Sequence, residues 1–167
     1  MRSTRARRWL RATFGASAVL VLVTLARADA PFDQYNLFNL NSDVIQDQQT
    51  GLYWQRYPPT TDVDFDGAAS YCGQLSLDTF ATGWRVPSYK ELLTLVDESP
   101  HVEYENGTVV EKYIDGNAFP GAAVSSSYWT SSAYPGAPAV EGYAVDFHTG
   151  VPAAQDRASS QVVRCVH

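Results

Sequence analysis

Three histidines, a run of alternating aspartates and two cysteines are the residues of this chain whose types could support chemistry. His101, His148 and His167 lack the spacing of metal ligands. Asp146 and His148 stand two apart on an expected strand, so they share a face and form a candidate acid–base pair; a solvated strand face is the plainer account of the same residues. Asp62-Val63-Asp64-Phe65-Asp66-Gly67 matches the first half of an EF-hand loop, in which alternating carboxylates converge on a hard cation and glycine makes the sharp turn. The twelfth loop position is Gly73, where a bidentate Glu belongs, so Asp62, Asp64 and Asp66 are a candidate calcium set without its closing ligand. The alternative is that Asp66 caps a helix while the other two carboxylates are solvated. There is no Gly-x-Ser-x-Gly elbow, phosphate loop or dinucleotide fingerprint. The expectation is therefore a non-enzyme with no resident cofactor.

What Cys72 and Cys165 do depends on where the chain resides. Five arginines, Arg2, Arg5, Arg7, Arg8 and Arg11, precede an uncharged run from Ala12 to Ala26, and Ala26-Arg27-Ala28 has the small-x-small form of a cleavage site. Residues 1–28 therefore read as a secretory signal cleaved before Asp29, with an uncleaved anchor as the alternative. The destination is periplasmic, cell-surface or extracellular. In an oxidising compartment an isolated cysteine pair is normally bridged. Cys72 to Cys165 is the available intramolecular pairing, and a reactive thiol pair or two intermolecular bridges are the competing readings.

The signal also changes the charge. The chain of 167 residues has 12 Lys and Arg against 18 Asp and Glu, a formal charge of -6. Six of the arginines lie within residues 1–28, so residues 29–167 carry -12. Such a domain repels nucleic acid and other polyanions at long range. Hydrophobic residues at 45% with 13% aromatics exclude a disordered chain and provide for one packed domain.

The elements that must position these residues are short. Asp43–Asp47 and Leu52–Arg56 flank Gln48-Gln49-Thr50-Gly51, the pattern of a hairpin with a glycine-containing turn. From Asp66, the spacing of Ala68, Ala69, Tyr71, Cys72 and Leu75 fits a short helix with one apolar face. Ser88-Tyr89-Lys90-Glu91 is a capping box, and it opens a second helix whose buried stripe is Leu92, Leu93, Leu95 and Val96. Residues 99–127 read as long loops with one small strand, Thr108–Tyr113. Tyr128–Ser132, Tyr143–Phe147 and Val162–Val166 read as strands. The class is α+β: two short helices, antiparallel strands and long loops. Residues 29–42 are a lead-in and 43–167 the domain. Trp54, Trp84 and Trp129 are expected core, each N–H finding a partner. Arg85 is expected to be structural. Tyr104, Tyr113 and Tyr134, in Gly/Pro-rich loops, are the candidate ligand contacts, because rigid amphipathic rings suit glycan or protein surfaces.

Seven ordered motifs then carry a resemblance. They are Thr50-Gly51-Leu52-Tyr53-Trp54-Gln55, Ala69-Ser70-Tyr71-Cys72, Gly83-Trp84-Arg85-Val86-Pro87-Ser88 with Glu91-Leu92, Ala118-Phe119-Pro120, Tyr128-Trp129-Thr130-Ser131-Ser132, Val145-Asp146-Phe147 and Val163-Arg164-Cys165-Val166. In this order they resemble the domain-of-unknown-function family named for the C-terminal domain of the Legionella collagen-like adhesin. The resemblance implies a C-type-lectin-like fold in which a disulfide usually joins the first helix to the last strand. It also implies an exported, adhesin- or lectin-like binding module for a glycan or protein ligand. Sulfated polysaccharide, the polymer recognised by the best-known relative, fits poorly with a charge of -12, and the chain lacks a collagen-like stalk. A structural or assembly component of an envelope complex is the alternative reading. A third is a hydrolytic or formylglycine-generating-like enzyme, and the latter needs reactive cysteines beyond any structural bridge.

Overall fold

The computed structural model describes residues 31, 33–37, 42–105, 107–121 and 127–167. The expected signal over 1–28 lies outside the described residues. The described chain contains two short helices and three small antiparallel sheets, an α+β arrangement.

The first sheet has the order β1 (Tyr35–Leu37), β2 (Val44–Asp47), β3 (Tyr53–Gln55). The β2–β3 hairpin has the expected turn. Asp47 accepts the N–H of Gln49 and the hydroxyl of Thr50, and Gly51 takes the positive φ of 75° that closes the turn. The lead-in is not bare: β1 lies within it and pairs Leu37 with Ile45.

Helix α1 (Phe65–Gln74) is capped by Asp64, whose carboxylate accepts the Gly67 N–H at 2.7 Å. This corrects the assignment of the cap to Asp66. The cap lies two residues earlier, and Asp66 in the first turn of the helix instead pairs with Arg157 at 2.7 Å. Helix α2 (Tyr89–Leu93) has the full capping box, with Ser88 accepting the Glu91 N–H and Glu91 accepting the Ser88 N–H. Arg85 adds a bidentate pair to Glu91, at 2.6 and 2.8 Å.

Residues 99–127 are less loop-like than their composition suggests. Strands β4 (His101–Glu105) and β5 (Thr108–Lys112) form a two-stranded hairpin. The third sheet is β6 (Ser127–Ala133), β7 (Glu141–Asp146) and β8 (Val151–Asp156) in that order. Strand β8 was not expected, and Val162–Val166 is not a continuous strand. That segment makes single bridges to Tyr128, Trp54 and Arg85 through Val162 and Val166, so no one neighbour offers it a full ladder.

The third sheet divides the core. Trp129 and Ala144 pair across β6 and β7 and face α1, in a cluster with Ala68, Cys72, Trp84 and Val163. Tyr128 and Val145, the next pair, face the opposite side and pack with Leu92, Leu95, Phe119 and Phe147. Gly142 lies against Phe65, where a Cβ would come within 2.4 Å of the ring. All three expected core tryptophans are buried. Trp84 and Trp129 donate to the carbonyls of Phe80 and Val63, whereas the Trp54 indole N–H has no hydrogen-bond partner among the described residues, contrary to expectation.

Cys72 and Cys165 are joined, with Cα atoms 5.6 Å apart and a sequence separation of 93. The bridge fastens α1 to the C-terminal segment. Beside it Arg164 is fully buried and donates to the carbonyls of Gln55 and Arg56, with its guanidinium over the ring of Phe119. Burial pulls its pKa down from the ordinary arginine value.

Candidate functional site

The capping box sets where α2 begins, and therefore where Tyr89 sits. The Tyr89 N–H donates to the Ser132 hydroxyl at 3.1 Å, which ties the start of the helix to β6. On β7, Tyr143 is two residues from Val145 and so shares its face. Its ring meets that of Tyr89 at 4.6 Å between centroids, and that of Tyr134 edge-on at 5.3 Å. The Tyr134 N–H donates to Glu141, and Gly136 turns back over the Tyr134 ring so closely that a Cβ there would lie 2.6 Å from it. Three half-buried tyrosines thus form one contiguous aromatic surface. Such rings offer apolar faces and hydroxyl donors with little ordering entropy left to lose.

Of the three candidate contacts, Tyr134 is in this trio. Tyr104 lies apart from it on β4, 78% exposed, and Tyr113 follows β5, half-buried against Gly150. Sequence reasoning missed Tyr89 and Tyr143. The apolar spacing around Val145 signalled that Tyr143 lies on a packed strand face; nothing local signalled that Tyr89 meets it.

The other candidates are committed elsewhere. His148 lies beyond the end of β7, in a turn where Asp146 accepts its backbone N–H at 2.7 Å, while the imidazole Nδ1 is 2.8 Å from the Glu111 carbonyl. The carboxylate therefore holds the turn and does not orient the ring. His101 pairs with Asp97 at 2.9 Å, and the His167 ring packs against Phe80 and Trp84. Asp64 and Asp66 are held by the helix start and by Arg157, and no group of three His, Cys, Asp or Glu among the described residues is arranged to hold a metal ion.

Among the described residues, clefts open on two sides of the molecule. One, of about 370 Å³, lies between α1 and β6, lined by Phe65, Trp84, Arg85 and Thr130. The other, of about 440 Å³, lies between β1 and the loop around Asp115, with Arg56 at its side. Tyr35 lines the second, and burial, followed by the charges of Asp47, Asp97 and Asp115, raises its pKa well above the ordinary value, so its hydroxyl stays protonated.

A family model described as the Lcl C-terminal domain matches residues 43–167. No curated protein and no solved structure gives a match.

Proposed function

The chain belongs to the Lcl C-terminal domain family, and from that membership we propose that it is an exported, non-catalytic binding module that engages a glycan or protein surface through Tyr89, Tyr134 and Tyr143. The observation that carries this reading is the contact of three half-exposed rings in one surface, since clustered aromatic rings open to solvent suit a contact surface and are what a mere core filler does not expose. Export is supported by the basic and apolar pattern of residues 1–28 and by a disulfide suited to an oxidising compartment. A C-type-lectin-like fold is consistent with the link between the first helix and the C-terminal segment. The proposed contact is made by tyrosine rings and calls for no metal, and Asp64 and Asp66 already serve α1 and Arg157. Assembly with an envelope protein is the second reading, favoured by the exposed apolar face of the β4–β5 hairpin.

The test is a glycan array and an envelope pull-down run in parallel on the wild type and on Tyr134→Ala/Tyr143→Ala, with and without calcium. Retention that falls about tenfold in the variant and is indifferent to calcium supports the proposal. Undiminished retention, or turnover of a substrate panel that His148→Ala abolishes, overturns it.

A further inference from the structure

The β4–β5 hairpin stands apart from the packed core. Cross-strand pairs Val102 with Glu111 and Tyr104 with Val109 put these four side chains on one face. That face is open: Val102 is 64%, Tyr104 78% and Val109 53% exposed. The opposite face is anchored, with buried Lys112 pairing Glu103 at 2.8 Å and His101 pairing Asp97. The hairpin is therefore held in place from one side and presents valine and tyrosine to solvent from the other.

Its two edges differ. The outer side of β5 is occupied, since the Glu111 carbonyl meets the His148 ring and the Tyr113 N–H donates to Phe147. Among the described residues, no backbone group of β4 hydrogen-bonds outside the hairpin. An unpaired edge beside exposed apolar side chains is a template for strand addition.

Charge selects the occupant. Residues 29–167 carry -12, and Glu111 lies on the open face. A second copy would bring the same acidic strand and the same net charge, and like charges across a strand pair are destabilising. We propose that the β4 edge docks an extended segment of a protein partner that carries apolar residues and Arg or Lys in turn at every second position, so that both line one face of the added strand. Its main chain continues the sheet and its apolar side chains cover Val102, the β4 residue next to the added strand on the open face. Its cations lie over the Tyr104 ring and reach Glu111. This surface shares no residue with the tyrosine trio and stands independently of it.

The probe is a labelled nine-residue peptide with Val and Arg in turn at every second position and Thr between them, titrated by fluorescence anisotropy against residues 29–167, beside a copy with Glu for Arg. The basic peptide should bind in a salt-weakened manner and the acidic one should not. Tyr104→Ser/Val109→Ser should weaken binding about tenfold or more with an unchanged melting temperature. Glu111→Lys, which keeps the apolar face, should weaken the basic peptide and admit the acidic one. The proposal is overturned if both peptides bind alike, if neither binds, or if both variants bind as the wild type does. It is overturned equally by self-association that Tyr104→Ser/Val109→Ser abolishes, which would make a second copy the occupant.

Discussion

Glu91 shows how much one side chain can fix. It accepts from the Ser88 backbone to start α2 and from Arg85 through both oxygens, so the residues before the helix and its first turn are held together. The hydrogen bonds from Arg85, reinforced by those from Ser88, lower its pKa from the ordinary 4.5 to about 2. A carboxylate depressed on folding contributes stability above its unfolded pKa and loses it as the pH falls through the folded one. The contribution is thus complete at neutral pH and disappears between about 4.5 and about 2. Arg85 is half-exposed, so solvent screening keeps the effect small. Glu91→Gln retains an acceptor for the cap and removes the charge. It should cost about 1 kcal/mol at pH 7, and the difference from wild type should shrink toward zero at acid pH in urea melts. A difference constant over that range would show that the ion pair contributes nothing.

The disulfide is the corresponding device between elements. It closes a long loop between α1 and the C-terminal segment, which otherwise is held by single bridges to several neighbours. Cys72→Ala/Cys165→Ala should lower stability by roughly 2 to 5 kcal/mol, read by denaturant unfolding. If the double variant unfolds at the same midpoint, the bridges alone hold that segment. The cysteine pair was legible because a count of two and a signal-like pattern in residues 1–28 left few alternatives, and the capping box and the β2–β3 turn because their donors and acceptors are neighbours in sequence. Strand β8 was hidden because Pro152, Ala153 and Ala154 have low strand propensity, and an edge position tolerates a proline whose missing N–H faces outward. Strand β4 was hidden for the opposite reason. His101-Val102-Glu103-Tyr104 does alternate, but its apolar residues face solvent, among residues whose composition suggested loops. The tyrosine trio was one-third legible, since pairing Tyr89 with Tyr143 depends on how α2 lies across the sheet.

At the scale of the whole molecule, net charge understates how acidic the surface is. Residues 29–167 hold six Lys and Arg against 18 Asp and Glu. Arg85, Lys112 and Arg157 are paired with Glu91, Glu103 and Asp66. Arg164 is buried, and Arg56 is turned toward the carbonyls of Asn117 and Ala118. Among these six, Lys90 is the one that makes no hydrogen bond or ion pair within the described structure. A polyanion gains affinity by exchanging its counterions for several free cations at once, and this surface supplies one. The residues 29–167 should therefore pass through a heparin support at about 0.05 M salt, where the screening length is long enough for repulsion to act, and should be held by an anion exchanger under the same conditions. Retention on heparin beyond about 0.15 M salt, the physiological range, would require a basic cluster assembled from several copies, since all six Lys and Arg of residues 29–167 are accounted for above. Adding polylysine should produce the converse, a complex that dissolves as salt rises. The same polarity favours the approach of an Arg- or Lys-bearing strand over that of a sulfated chain.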